Sequence, residues 1–332
     1  MSESKVKDSK DNIKKNSTKY IKYTNDCINI PDKNLKKALK KCIHKMQDYD
    51  LTKDRLETIE YLSINNMKIT NLEGLQYCKN LIELDASINR ITDIKPLLGL
   101  KKLKRLDLYD NKIIDIRALE NLNELEYISL SCNRINSIKV LGKLKKLTYL
   151  ALGENRLNDI QEIKELTNLS SLFLSYNTIS NIEPLRGLKK LEWIGLDDNR
   201  ICDATPLGDI ENLTNIHIHN NKIILDKQEI VNETLSIENP IKDIRGIPIS
   251  PNEISNDGVY NSKKNILIWN KSLENLSHVE FKFNNSYFSG AVIVPIKNIV
   301  LKPKEIEEKN IDEGFVDKVA STLQFISKVF SE

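Results

Sequence analysis

The sequence predicts an α/β solenoid of stacked 22-residue repeats, and three observations support this prediction. An asparagine recurs with a strict 22-residue period, at Asn89, Asn111, Asn133, Asn155, Asn177, Asn199 and Asn221. Each asparagine belongs to a copy of the pattern L-x-x-L-x-L-x-x-N-x-I, as in Leu103, Leu106, Leu108, Asn111 and Ile113. The residues before each asparagine alternate like a β-strand, whereas those after it do not. This period and pattern are typical of a leucine-rich repeat.

Eight such registers are predicted over residues 59–238. The strands are expected to form a parallel sheet on the concave side, and the second half of each repeat returns along the convex side as 3₁₀ or irregular turns. Pro96, Pro184 and Pro206 fit that side because its backbone need not be helical. The asparagine side chains are expected to form a structural ladder by bonding backbone groups of the turns. Met67 replaces the asparagine in the first register, as expected of a terminal repeat.

Two segments precede the repeats. Residues 1–27 are polar and rich in lysine, which predicts a flexible charged leader. Residues 28–58 are predicted to form a helical cap, because Asp32 can begin a helix and a solenoid must cover its first apolar layer. The apolar face of that helix is expected to carry Leu35, Ala38, Leu39, Cys42 and Met46.

Two further segments follow the repeats. Residues 239–299 alternate like strands around 266–268, 279–283 and 292–294, which predicts a small β-sandwich with Trp269 in its core. Residues 300–332 are predicted to form a charged linker and an amphipathic helix. That helix either docks on the sandwich or binds a partner or a membrane surface.

Composition limits the classes of function. The chain has 332 residues and a formal net charge of +3, which is too small to indicate a nucleic-acid partner. Its five cysteines form no CxxC motif, so neither a disulfide framework nor a zinc site is expected, and Cys78 is predicted to be a core residue. No apolar run is long enough to span a bilayer. The sequence also lacks a Ser/His/Asp arrangement, a Gly-rich phosphate loop and an HExxH motif, so we predict no enzymatic activity and no cofactor.

The candidate binding residues lie between the inward-facing leucines of each strand, on the concave face. Five of them are aromatic, and none has a position in the core of its repeat: Tyr109, Tyr127, Tyr149, Phe173 and Trp193. Exposed aromatic side chains are typical anchors of protein interfaces, which predicts a protein partner. The alternative is that these rings only cover the flat sheet and bury one another.

Two polar groups share this face. An acidic patch is formed by Glu83, Asp85, Asp107 and Asp110, and Arg105 is expected to neutralise part of its charge. A basic segment of the partner and an ordinary solvated surface both remain open as explanations. Near the end of the repeats, His217 and His219 are included among the protein-binding residues. Together with Asp197 and Asp198 they could hold a divalent metal, but a hydrogen bond between His219 and Asp197 is the favoured alternative.

The order of these segments resembles that of the internalins, bacterial leucine-rich-repeat proteins with a helical cap and an immunoglobulin-like inter-repeat domain. The resemblance rests on I-P-D and N-L at 30–35, I-T-N-L-E-G-L-Q-Y at 69–77, N-P at 239–240, I-W-N at 268–270 and F-S-G at 288–290. It implies that residues 239–299 are immunoglobulin-like, here without cysteines. It also implies a protein partner, with a host-cell protein as one alternative.

The resemblance leaves the location open. Many internalins have a signal peptide and a wall-sorting or wall-binding C-terminus, and this sequence shows neither a signal nor an LPxTG-like motif. The missing signal favours the cytoplasm, whereas the family favours secretion or the cell surface. An intracellular scaffold, similar to the 22-residue-repeat subunits that bind phosphatases, is therefore the alternative function. In either case we expect a monomer.

Overall fold

The structure, a computed structural model, describes residues 27–43, 50–270, 273 and 276–300, without the side chains of 298–300. Residues 1–26 of the predicted leader and the predicted C-terminal helix lie outside this range. In the part that is described, no helix has the length and apolar character needed to cross a membrane.

In the described residues, two short helices precede the first strand: α1 (Lys33–Ile43) and α2 (Lys53–Glu57). Asp32 fixes the start of α1, because its Oδ1 accepts the main-chain N–H groups of Asn34 at 2.9 Å and Leu35 at 3.1 Å. Its Oδ2 accepts the N–H of Thr70 at 2.9 Å. One carboxylate therefore joins the start of the helix to the first repeat.

The apolar face of α1 differs from the prediction at its end. Leu35, Ala38 and Leu39 are buried, but Cys42 is exposed. Cys42 still lies on the side of the repeats, because its Sγ donates to the carbonyl of Tyr61 at 3.7 Å, and the next residue, Ile43, is half-buried. Met46 lies outside the described residues.

The repeats contribute eight parallel strands: β1 (Tyr61–Ser63), β2 (Glu83–Asp85), β3 (Arg105–Asp107), β4 (Tyr127–Ser129), β5 (Tyr149–Ala151), β6 (Ser171–Phe173), β7 (Trp193–Gly195) and β8 (Asn215–Ile224). Neighbouring strands pair with an offset of one repeat, as Leu84 does with Leu106. In β1 to β7 the middle residue is buried, and it fills the core between the sheet and the convex side. Cys78 is also fully buried, as predicted.

The convex side consists of 3₁₀ helices at Leu75–Tyr77, Lys95–Leu97, Arg117–Leu119, Lys139–Lys143, Gln161–Glu165, Glu183–Leu185 and Thr205–Leu207. Pro96, Pro184 and Pro206 lie in the first turns of three of them, where a missing N–H breaks no helical bond. A parallel sheet with 3₁₀ turns on its other side confirms the predicted leucine-rich-repeat solenoid.

Asparagine side chains connect successive repeats. The Oδ1 of Asn177 accepts the N–H of Leu157 at 2.9 Å, and its Nδ2 donates to the carbonyls of Leu152 at 3.0 Å and Leu174 at 2.9 Å. A further bond to the carbonyl of Ser175 is longer, at 3.4 Å. Equivalent bonds are made by Asn111, Asn133, Asn155 and Asn199. Each side chain therefore satisfies backbone groups of two repeats.

As far as the structure describes the chain after β8, it contains seven more strands: β9 (Gln228–Val231), β10 (Leu235–Glu238), β11 (Pro251–Ile254), β12 (Val259–Asn261), β13 (Ile266–Trp269), β14 (His278–Asn284) and β15 (Phe288–Val300). Strand β15 pairs in parallel with β8, and the sheet extends through β14 to β11. It therefore crosses the boundary predicted between residues 238 and 239. A second sheet has the order β10-β13-β12.

The core of this region is aromatic. Trp269 is fully buried, and its Nε1–H donates to the carbonyl of Ser255 at 2.8 Å. Phe281, Phe283 and Phe288 are buried as well. Trp269 thus lies in the core, where the sequence predicts it.

Candidate binding face on the concave sheet

The strand register creates columns of outward-facing side chains. Because successive side chains of a strand point to opposite faces, the residues on either side of each buried middle residue face outward. Tyr127 of β4 lies opposite Tyr149 of β5, and Ala151 lies opposite Phe173 of β6. Side chains that occupy the same position in successive repeats are therefore neighbours on the concave face.

A continuous stack of planar groups runs across four repeats. The guanidinium carbon of Arg105 lies 3.5 Å from the ring centre of Tyr127. The rings of Tyr127 and Tyr149 are parallel within 8°, with centres 4.2 Å apart, and Phe173 lies 5.6 Å beyond at a tilt of 46°. Stacked groups restrict one another's rotamers, so the stack presents a rigid surface.

The other two predicted aromatic residues stand apart from this stack. Trp193 is 46% exposed and Tyr109 is 41% exposed, whereas Tyr127, Tyr149 and Phe173 are half-buried. The structure thus brings three of the five rings together. The alternative explanation, that the rings only bury one another, therefore holds in part for Tyr127, Tyr149 and Phe173. It does not hold for Trp193 or Tyr109, which in the described chain have no ring partner.

The hydroxyl of Tyr149 is neutral over the physiological pH range. Burial, with a smaller contribution from Tyr127, raises the pKa of Tyr149 to about 12. A neutral phenol can donate as well as accept a hydrogen bond. The stack therefore offers a polar group as well as apolar ring surface.

Arg105 lies between the acidic patch and the aromatic stack. It is stacked on Tyr127 and, among the described residues, forms no ion pair with a carboxylate, because its flat guanidinium packs on a ring in the next strand. It nevertheless lines one cleft together with Glu83 and Asp85, so its partial neutralisation of their charge stays a prediction. Glu83, its neighbour in β2, is exposed.

Asp85 and Asp107 take part in local bonds. Burial raises the pKa of Asp85, but hydrogen bonds from Ser87, Asn65 and Ser63 lower it more, so the net shift is downward. The Oδ1 of Asp107 accepts the N–H of Tyr109 at 3.0 Å. These two carboxylates therefore hold their own turns in place as well as contributing charge to the face.

His217 and His219 lie together at the end of the repeats, with ring centres 6.4 Å apart. Asp197 accepts the main-chain N–H of His219 at 2.6 Å, and the Nδ1 of His219 lies 3.3 Å from the hydroxyl of Ser289. The predicted bond from Asp197 thus goes to the backbone rather than to the ring. In the described ranges, no group of three or more His, Cys, Asp or Glu residues is arranged to hold a metal.

The concave face extends beyond the residues that the sequence indicates. Ser289 of β15 contacts His219, and a groove of about 540 Å³ follows over β8, β15 and β14. Its lining includes Lys222, Lys282 and Ile293. The repeat period gives no signal for these residues, because strands β9 to β14 separate β15 from its neighbour β8 along the chain.

Comparison with known families supports two segments. The family described as "Leucine Rich repeats (2 copies)" matches residues 79–124 and 123–165, and "Leucine rich repeat" matches 145–201. The family "LRR adjacent" matches residues 246–297. No curated protein sequence gives a significant match to the chain.

Two solved structures of internalins from Listeria monocytogenes are similar to the chain. Internalin C2 is 34% identical, with a TM-score of 0.56, and the match covers 57% of this chain and 85% of internalin C2. Internalin InlF is 29% identical, with a TM-score of 0.46, and the match covers 59% of this chain and 72% of InlF. With the matched repeats and the segment adjacent to them, the identity and coverage of internalin C2 show that this chain belongs to the internalin family.

Proposed function

We propose that the chain is a non-catalytic module that binds a protein through the aromatic face, formed by Tyr109, Tyr127, Tyr149, Phe173 and Trp193. The observation that carries this proposal is the exposure of Trp193 and Tyr109, at 46% and 41%, on a sheet whose core requires neither ring. Exposed aromatic side chains cost solubility, and they supply much of the binding energy at protein interfaces.

The rigidity of the face supports the same function. Interface side chains lose rotamer freedom when they bind, at about 0.5–1.5 kcal/mol each. Tyr127 and Tyr149 are already stacked between Arg105 and Phe173, so much of their rotamer freedom is lost before a partner binds. Ala151 and Gly195 flank Phe173, and a Cβ on Gly195 would lie 3.4 Å from the Cδ1 of Phe173, so these small residues make room for the ring itself.

The remaining parts have supporting roles in this proposal. We infer that α1 and α2 cap the first repeat, and that residues 239–299 form an immunoglobulin-like unit that stiffens the last one. Membership of the internalin family favours an exported binding protein over the intracellular phosphatase-type scaffold. Glu83, Asp85, Asp107, His217 and His219 would form the polar rim of the interface.

The test compares two double variants of the full chain. The first is Tyr149→Ala with Trp193→Ala. The control is Leu98→Ala with Ile114→Ala, which removes exposed apolar side chains outside the strands. A partner is first identified by crosslinking to the native chain, and the affinity of the purified partner is then measured by calorimetry.

We expect the control to melt within a few degrees of the native chain, since its two side chains are exposed. The first variant should still unfold in one cooperative transition, at a moderately lower temperature, because Tyr149 is half-buried in the stack. We also expect the first to lose at least 100-fold in affinity and the control to lose none, because truncation of aromatic anchors costs about 2 kcal/mol or more each. Equal affinity of the two double variants, or unfolding of the first alone, would refute the proposal.

A further inference from the structure

A row of basic residues lies at the edge of the concave sheet, outside the aromatic face. Each member directly follows the Asn position of its repeat: Lys68, Arg90, Lys112, Arg134, Arg156, Arg200 and Lys222. We call this row the basic stripe. All seven side chains are exposed, and Thr178 is the single interruption.

Backbone hydrogen bonds hold the basic stripe in register. The N–H of Lys112 donates to the carbonyl of Ile91, and that of Arg134 donates to the carbonyl of Ile113, both at 2.9 Å. The equivalent hydrogen bond to a carbonyl of the preceding repeat is donated by the N–H groups of Arg90, Arg156, Thr178 and Arg200. With a strand spacing of about 4.8 Å, seven repeat steps extend over roughly 34 Å. The stripe is therefore a single file of positive charge along the solenoid.

The charges of the basic stripe are not neutralised within the described part of the chain. None of its seven side chains has an ion pair, a hydrogen bond or a ring contact there. Many basic residues elsewhere are paired, such as Lys143 with Glu120, Lys145 with Glu165 and Lys146 with Glu124. Like charges side by side on neighbouring strands are destabilising. A row of unpaired cations therefore favours an anionic ligand.

The arginine content of the basic stripe also favours an anionic ligand. The chain has only nine arginines among 50 basic residues, yet four of the nine lie in the seven positions of the basic stripe. Arginine offers a planar fork of donors that binds tetrahedral and planar oxyanions through two bonds, which lysine cannot do. The general lysine bias of the chain does not explain this enrichment.

The surroundings of the stripe limit the shape of the ligand. Asp110, Glu154 and Asp198 form a parallel row, each one position before the asparagine of its repeat. A flat anionic membrane would contact both rows and be repelled by the carboxylates, whereas a linear chain needs only the stripe. The stripe contains no aromatic residue, and single-stranded nucleic acids rely on stacking of their bases on such residues. An acidic peptide would lose conformational entropy when extended over seven repeats.

We propose that the basic stripe is a docking site for a linear sulfated glycan that lies along the axis of the solenoid. The charged groups of such a glycan recur along a stiff chain. Successive repeats can therefore each contact an anion, and the glycan loses little conformational entropy when it binds. This site is separate from the aromatic face and does not depend on the function proposed above.

Heparin serves as the probe, with the full chain and two triple variants of equal charge. The stripe variant is Lys112→Gln, Arg134→Gln and Arg156→Gln. The control is Lys143→Gln, Lys145→Gln and Lys146→Gln, which removes ion-paired charges from another surface. We expect heparin affinity to fall at least 10-fold in the stripe variant and less than 2-fold in the control. The slope of log K against log salt concentration should become shallower in the stripe variant and stay unchanged in the control, because fewer counterions are released when heparin binds.

A gain of affinity provides the second test. Thr178→Arg fills the gap in the stripe, and we expect it to strengthen heparin binding several-fold without loss of the native melting transition. Equal losses in the two triple variants, or no gain from Thr178→Arg, would overturn the site. Stronger binding of polyuridylate or of phosphatidylserine vesicles than of heparin, at the same salt concentration, would overturn the assignment to a glycan.

Discussion

Replacing Asn177 with alanine tests whether the asparagine ladder stabilises the solenoid. The side chain is 8% exposed and bonds to backbone groups in its own repeat and in the preceding one. Alanine leaves these groups in place but removes their partner. The resulting cost depends on which groups keep another hydrogen bond.

The carbonyls keep other partners. That of Leu152 still accepts from Asn155 at 3.1 Å, and that of Leu174 still accepts from Asn199 at 3.0 Å. The buried N–H of Leu157 has no second acceptor among the described residues. A buried donor without a partner costs about 1–3 kcal/mol, and the weakened carbonyl bonds add to it. We therefore expect Asn177→Ala to lower the free energy of unfolding by about 2–3 kcal/mol.

The assay is urea denaturation of the full chain, followed by circular dichroism, together with hydrogen exchange at the amide of Leu157. The control is Asn212→Ala, because Asn212 is exposed and donates one hydrogen bond, to the carbonyl of Lys189. We expect the control to change stability by less than about 0.5 kcal/mol. If Asn177→Ala shifts the midpoint no more than the control does, or leaves exchange at Leu157 unchanged, the reasoning fails.

Two further predictions concern the ends of the solenoid. Burial raises the pKa of Asp32, but hydrogen bonds from Thr70 and from the first turn of α1 lower it more, so the net shift is downward. The stability that this carboxylate contributes is thus present near neutral pH and is lost as the pH falls through its lowered native pKa. We expect Asp32→Asn to lower the melting temperature at pH 7 and the difference from the native chain to shrink below about pH 4; a constant difference would contradict this. At the other end, a Cβ on Gly290 would collide with the carbonyl oxygen of Asn221, so Gly290→Ala should separate β15 from β8 and lower the melting temperature strongly. Gly187→Ala, where a Cβ meets nothing within 4 Å, is the control, and equal melting of the two variants would show that β15 tolerates the side chain.

The repeat pattern predicts the core well because each position of the period has one environment. Leu106, Ile128 and Leu150 occupy the same position and are all fully buried. Cys78 follows the same rule, although its residue type alone is ambiguous. The exposure of Cys42 is not predictable in this way, because Cys42 lies near the end of the helix before the repeats, where no period fixes the environment of a position.

The candidate site is less predictable than the core. The period places Arg105, Tyr127 and Tyr149 in one column, but it does not show whether Arg105 turns towards Glu83 or towards Tyr127. Both neighbours lie one strand away, so the choice depends on side-chain rotamers and on packing across the sheet. Likewise, Asp85 belongs to the predicted acidic patch, but its bonds to Ser87 and Asn65 emerge only from the folded turn.

The sequence by itself determined the register of the solenoid, because a strict 22-residue period fixes which side chains face the core and which face solvent. It also contains the basic stripe, as the residue that follows the Asn position in every repeat except the one with Thr178. Only the tertiary structure decided which of those charges have partners and where the sheet ends. Pairing of β8 with β15 joins segments far apart in the chain through backbone hydrogen bonds, and such bonds leave no periodic trace in the side chains. The stacking of Arg105 on Tyr127 was decided in the same way, by contacts that form only once neighbouring repeats are in place.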